Sequence, residues 1–383
     1  MKRLDKELRV MVVDGLGGPM TRRGFIKRAG AAGLLVGASG FLAACGGGET
    51  TTTTAAGGGG GELAKELYFY NWSDYIAEET IPTFQDEFGV KVVYDNYSSN
   101  DTLLAKLQSG ATGYDIIVPT DYMITTMLGL DLLQEIDLAN VPNVANLYQR
   151  FREAPFDPGN KYSIPWQWGT TGIGYNSVKV PDFKPSWDML WDEKYKGKIT
   201  MMNEIRDVFA VALFRLGYSP NTIDPKEIEE AKQMLIAQKP VLKHYTSDTY
   251  IDELASEDSW LSHGWSGDVL QAQMENEAVL YAVPEEGSLT WVDCMCIPKG
   301  APSKYTAEVF MNYIQQPEVA AGITNYVYYA SPNEKAEEFI LPEILDDPQI
   351  YPPQEVMDKL TFLEELGTDT ELYNAAYQEL RAS

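Results

Sequence analysis

The chain has 383 residues, with 30 Lys and Arg against 56 Asp and Glu for a formal charge of −26, and 44% of its residues are hydrophobic and 11% aromatic. That apolar fraction excludes a disordered or fibrous chain, and the length suggests two domains. The charge repels phosphate, so nucleic acid is excluded as a partner and a neutral or cationic ligand is favoured. With two histidines and three cysteines, neither a metal centre, a disulfide framework nor a cofactor is expected.

The first 44 residues read as an address. Thr21-Arg22-Arg23-Gly24-Phe25-Ile26-Lys27 has the form of a twin-arginine export signal, and Met20 just before it is an alternative start. The apolar run Ala29 to Ala44, rich in Ala and Gly, is shorter than the roughly 20 strongly apolar residues that span a bilayer, so it reads as the core of a signal peptide. Leu42-Ala43-Ala44-Cys45 resembles the box at which bacterial lipoproteins are cleaved and their cysteine lipidated. Residues 1–44 carry 8 basic and 3 acidic side chains, so the charge from Cys45 onward is −31. Residues 45–61, with Gly46-Gly47-Gly48, a threonine run at 51–54 and Gly57 to Gly61, bury nothing and read as a flexible tether. An exported lipoprotein is expected, displayed on the outer face of the cytoplasmic membrane and held by a lipid on Cys45.

Beyond the tether, short apolar strands alternate with amphipathic helices. Strands are predicted over 67–70, 90–94 and 115–118, the last stopped by Pro119, with helices over 79–88, ended by Gly89, and 101–108. A second series follows Gly169, with a strand over 199–202, helices over 206–216 and 225–237, and strands over 261–265, 279–283 and 291–297. This is βαβ patterning, which implies an α/β protein with a mainly parallel sheet covered by helices. Ligands in such folds sit beyond the carboxyl ends of strands or between domains. Cys294 and Cys296 share one face of the last strand and read as small buried residues.

Four segments set aromatics beside acids at predicted strand ends. They are Asn71-Trp72-Ser73-Asp74-Tyr75, Glu204-Ile205-Arg206-Asp207, Gly264-Trp265-Ser266-Gly267-Asp268 and Trp291-Val292-Asp293. Indole and phenol faces attract cations and cover methylene chains, while carboxylates accept ammonium hydrogens, so the set suits an elongated apolar cation. Each member also has a purely structural role open to it: Asp74 as a helix cap, Glu204 and Asp207 as acids at a helix start, Trp265 and Trp291 as core residues.

These motifs resemble those of the extracytoplasmic polyamine-binding proteins of ABC importers, the spermidine/putrescine and putrescine receptors. The likeness runs from about Leu67 to Pro352 and also rests on Tyr114-Asp115-Ile116-Ile117-Val118-Pro119, Thr170-Thr171-Gly172-Ile173-Gly174-Tyr175-Asn176 and Ile350-Tyr351-Pro352-Pro353. It implies a two-lobed periplasmic-binding-protein fold of type II, with the ligand between the lobes. Lobe 1 would be 62–169 plus 292–340, and lobe 2 would be 170–291 plus 341–383. The resemblance assigns Trp72, Tyr75, Trp265 and Trp291 to the aromatic walls, and Ser73 and Asp74 to the first strand end. It assigns Asp293 to one ammonium and Asp268 to an acid that the putrescine receptors have and the spermidine type lacks. Glu204 and Asp207 match acids of the second lobe, with their lengths reversed relative to the spermidine type. Thr120, Tyr122, Ser247 and Tyr329 match further polar contacts. Two positions depart from the pattern: Asp121 stands where a small or hydroxyl residue is usual, and Leu363 replaces a glutamine of the spermidine receptors. The implied protein is a monomer that captures putrescine and/or spermidine and delivers it to a membrane permease.

Two other classes compete. A carbohydrate-active enzyme or sugar-binding protein would also use acids and tryptophans, and Gly264-Trp265-Ser266-Gly267-Asp268 nearly spells a nucleophile elbow, with Asp268 in the place of the final glycine. His244 and His263 have no metal-ligand spacing. A sensor or adhesin would need an exposed apolar patch.

Overall fold

The computed structural model describes residues 61–110 and 113–383. The export signal, Cys45 and the chain to residue 60 lie outside the described residues. Ten strands form the sheet: β1 (Glu66–Trp72), β2 (Lys91–Tyr97), β3 (Ile116–Ile117), β4 (Ser163–Asn176), β5 (Ile199–Met201), β6 (Leu242–Tyr245), β7 (Leu261–Trp265), β8 (Val279–Ala282), β9 (Ser288–Cys296) and β10 (Leu360–Thr361). The order is β2-β1-β3-β9-β4-β7-β5-β6, with β8 beside β4 and β10 beside β9.

The sheet is mixed, which refines the expectation of a mainly parallel one. β1 pairs parallel with β2 and β3, and β5 with β6 and β7. Between these two groups run β4 and β9, antiparallel to each other and to β7, β8 and β3. Helices connect the parallel strands because same-direction pairing needs a crossover. Thr80–Phe88 joins β1 to β2 and is closed by Gly89 at φ 68°. Ile205–Leu216 follows β5 and is closed by Gly217 at φ 78°. The helix Pro225–Gln238 carries its proline at the first position, where the missing N–H costs nothing.

β4 and β9 are buried along their length, except for half-buried Tyr175. β4 starts at Ser163, ahead of the expected second series. Its alternation is hidden because both faces are covered, and Pro165 shifts its register against β9. Residues Ser163 to Thr170 pair with β9, and from Thr171 onward the same strand pairs with β7. One strand thus belongs to both halves of the sheet. Cys294 and Cys296 are free thiols buried in β9, as expected.

Close approach to β4 depends on glycine at position 172. A Cβ there would lie 2.5 Å from the Ala282 carbonyl oxygen in β8 and 2.7 Å from the Tyr281 ring. Backbone cannot move as a side-chain tip can, so Gly172→Ala should lower stability by about 1–3 kcal/mol. Urea unfolding followed by far-ultraviolet dichroism reads this, and a midpoint equal to the parent's would contradict it.

Candidate ligand-binding cleft

A cleft of about 700 Å³ opens where the parallel strands deliver their carboxyl ends. β1 supplies Trp72 and the following Ser73, Asp74 and Tyr75; β3 leads into Thr120, Asp121 and Tyr122. From the other half, β5 leads to Glu204 and Asp207, β6 to Ser247, and β7 to Trp265 and Asp268. β9 adds Trp291 and Asp293 from its middle, and Tyr329 follows the helix Pro317–Val327. All fourteen candidate ligand residues therefore line one cavity, although they span more than 250 positions of sequence.

The walls are aromatic. Trp72 and Trp265 meet edge to face at 5.5 Å between centroids, Trp265 and Trp291 at 6.5 Å, and Trp291 and Tyr329 at 5.5 Å. Trp72 is fixed by its indole N–H, which donates to the Val118 carbonyl at 2.8 Å. The Trp291 indole nitrogen is buried and has no protein partner. Asp74 caps no helix: it is exposed at φ 50°, in the turn after β1.

Five carboxyl groups sit buried between those walls: Asp121, Glu204, Asp207, Asp268 and Asp293. Among the described residues, no lysine or arginine forms an ion pair with any of them. Arg206 is near, but its guanidinium donates to the Glu364 carbonyl and the Asn221 side chain and lies over the Tyr373 ring. Hydroxyls hold the acids instead. Tyr75 and Thr120 donate to the two oxygens of Asp293 at 2.9 and 2.7 Å. Tyr250 and Tyr329 do the same for Asp268 at 2.7 and 2.6 Å. Thr171 donates to Asp207 at 3.3 Å. The close approach of Tyr329 requires Gly267, where a Cβ would stand 2.6 Å from its ring.

Burial disfavours the charged form, and every one of these acids responds. Asp268 and Asp293 are each pushed up to about 7, against the help of their hydroxyl donors. Asp207 rises to about 6. Glu204 is driven well above its usual range by burial and then by neighbouring Asp101 and Asp207. Asp121, the departure from the family pattern, rises to about 8 through burial, although both its oxygens accept backbone N–H groups, from Tyr122 at 2.6 Å and Val292 at 3.0 Å. It thereby braces the β9 segment that carries Trp291 and Asp293. Leu363, the other departure, also lines the cleft.

Further lining residues carry no motif. Tyr97 ends β2, Ser98 follows it and Asn100 opens the helix Asn100–Gln108, while Asp248 lies in the turn after β6 and Ile251 in the helix Tyr250–Ala255. Ser247 accepts the Asn203 N–H at 3.1 Å, so it braces the loop that follows β5. The remaining chemistry-bearing side chains stand apart. His263 is buried with both ring nitrogens unpartnered, and burial lowers it to about 3. His244 pairs with Glu253 at 2.9 Å outside the cleft. The Ser266 hydroxyl accepts the Thr170 N–H at 3.4 Å. Among the described residues, no group of His, Cys, Asp and Glu is placed to hold a metal.

A cleft lined by acids and indoles between two strand-end clusters has the form of a solute-binding site. The sequence model of the bacterial extracellular solute-binding proteins matches residues 79–352, and the chain belongs to that family. It is 36% identical over 318 residues to the spermidine/putrescine-binding periplasmic protein of Escherichia coli K12, covering 82% of this chain and 91% of that one. It is also 36% identical over 316 residues to the putrescine-binding periplasmic protein PotF of the same organism, covering 77% and 85%. The crystal structure of the Tp0655 (TpPotD) lipoprotein of Treponema pallidum matches with a TM-score of 0.73 at 30% identity, covering 83% of this chain and all of that one. The fold is the bilobed α/β arrangement of type II periplasmic-binding proteins. The protein is a solute-binding component of transport that acts outside the cytoplasm, and not an enzyme.

The raised carboxyl groups fix a sign for stability. In the unfolded chain Asp293 ionises near 4, whereas in the fold it does so at about 7. Its contribution is therefore fully present below the unfolded value and is lost as pH rises toward 7. Asp293→Asn cannot ionise, so its thermal midpoint should gain on the ligand-free parent's between pH 5 and pH 7 and the gain should level off above that. Scanning calorimetry across that range checks this, and a constant difference would contradict it.

Proposed function

We propose that the protein captures a polyamine, putrescine and/or spermidine, and delivers it to the membrane permease of an ABC importer. The observation that carries this is the set of five buried carboxyl groups that form no ion pair among the described residues, enclosed by indole and phenol rings. A polyamine brings ammonium groups, which answer the acids, joined by methylenes, which the rings cover. A neutral sugar would leave the carboxylates unanswered. The names of the relatives from Escherichia coli point the same way.

Ligand residues are Trp72, Ser73, Asp74, Tyr75, Thr120, Tyr122, Glu204, Asp207, Ser247, Trp265, Asp268, Trp291, Asp293 and Tyr329. The lobes are 62–169 plus 292–340 and 170–291 plus 341–383. The change of partner along β4 between Thr170 and Thr171 supports a hinge there. A ligand held by acids of both lobes favours the closed arrangement by its differential contacts. The protein acts as a monomer, anchored by a lipid on Cys45.

Calorimetric titration with putrescine, spermidine, spermine and maltose tests the reading. Polyamines should bind, and maltose should neither bind nor compete. Stranding one member of a charge pair costs about 2–5 kcal/mol. Asp293→Asn should therefore weaken polyamine binding by roughly 30-fold to several thousand-fold. Parent-like affinity in that variant would sink the reading. For the anchor, Cys45→Ala should move the protein from the membrane pellet to the soluble fraction, and a variant that stays in the pellet would contradict the lipid.

A further inference from the structure

Glu204-Ile205-Arg206-Asp207 sets an arginine between two of the cleft acids, and the fold keeps the cation off both. Arg206 is 5% exposed and forms no ion pair among the described residues. Adjacent residues of a helix do not face each other, so its side chain leaves the helix Ile205–Leu216 on a different side from Asp207. There it is held by neutral groups alone. Its Nη1 donates to the Glu364 carbonyl at 3.1 Å, and its Nη2 to the Asn221 side-chain oxygen at 3.0 Å and the Pro220 carbonyl at 3.4 Å. The guanidinium lies 4.8 Å from the centre of the Tyr373 ring and 5.8 Å from that of Tyr122, which lines the cleft. The hold is incomplete. The Nε of Arg206 is buried without a partner, and so is one carboxylate oxygen of Glu204, two positions away. A donor and an acceptor that could answer each other are kept apart.

Asn221 is the centre of that hold. Its oxygen accepts both the Arg206 guanidinium and the Glu364 N–H, the latter at 2.9 Å, and its amide donates to the Phe362 carbonyl at 2.9 Å. Guanidinium matches carboxylate bidentately with charge on both sides, which neutral carbonyls do not offer, so the cleft acids are the stronger partners that Arg206 is denied. We propose that Asn221 is a positioning residue for the ligand site: it keeps Arg206 on neutral acceptors and so prevents an internal cation from answering Glu204 and Asp207 in place of the ligand. This rests on the polyamine reading above. An arginine that reached those acids would take the negative charge an ammonium needs, and, being part of the chain, it would never diffuse away. Asn221 itself does not line the cleft. Two routes lead from it to the ligand: Arg206, and the segment that carries Leu363 into the cleft wall. Only the first depends on charge.

Titration calorimetry of the purified protein with putrescine and spermidine separates the two routes. Asn221→Ala loses both, and should bind either amine about 10- to 100-fold more weakly than the parent. Asn221→Asp also loses the bond to the Phe362 carbonyl but still accepts from Arg206, so it should recover most of that loss. Adding Arg206→Met to Asn221→Ala removes the rival cation while leaving the segment unheld, and it too should recover most of the loss. If the double variant fails to fold, the contrast between Asn221→Ala and Asn221→Asp decides alone. A parent that binds neither amine overturns the ligand and the role of Asn221 together. A parent that binds, with an Asn221→Ala variant that binds as tightly, overturns the role of Asn221 alone. Equal weakening in Asn221→Ala and Asn221→Asp also overturns it, since that is loss of the segment and nothing more, as does an added Arg206→Met that recovers nothing.

Discussion

Five carboxyl groups are taken out of water in one cleft, and no lysine or arginine among the described residues forms an ion pair with them. Burying even one unpaired carboxylate is costly enough that the group shifts its pKa and takes up a proton instead. The fold distributes that cost through hydroxyls, two on Asp293 and two on Asp268, and through backbone N–H groups on Asp121 and Glu204. These donors fix the acids in position without neutralising them, so a demand for positive charge remains. A cationic ligand meets it with charge, and the tryptophans turn the same cavity toward methylene chains.

The long strands explain how such a cleft is held. β4 and β9 cross the middle of the sheet, and β4 pairs with strands of both halves, so the two strand-end clusters are joined by a shared backbone. Several bonds of the site already join segments from opposite halves: Tyr329 to Asp268, and Glu204 to Asn100. In the closing motion proposed above, an open cleft lacks these bonds and its acids meet water, where they ionise readily; a closed one buries them, which is favourable with ammonium groups between them.

Much of the site was legible because its motifs pair an aromatic with an acid just after an apolar strand. Asn71-Trp72-Ser73-Asp74-Tyr75 and Gly264-Trp265-Ser266-Gly267-Asp268 carry that signal in five residues each, and both line the cleft. The helices closed by Gly89 and Gly217 were legible for the same local reason, a left-handed cap that glycine adopts freely. What escaped was long-range. β4 alternates nothing, since both its faces are buried, and it holds a proline and three glycines. Asn100 reads as an ordinary residue of a helix start, and only Glu204, 104 positions away, gives its backbone N–H a partner across the sheet. Ser247 matched a ligand contact, yet its hydroxyl is engaged with the Asn203 backbone. Asp121 stood out as a departure, but its bond to Val292, 171 positions away, is visible only in the fold.

The central claim is that buried, partly protonated acids await a polycation. Titration calorimetry with spermidine at pH 7, repeated in buffers of different ionisation enthalpy, counts the protons that binding moves. Ammonium groups lower the pKa of Asp268 and Asp293 from about 7, so binding should release protons at pH 7, and the release should diminish as pH rises well above that value. Binding that moves no protons at pH 7, or takes them up, would contradict the account.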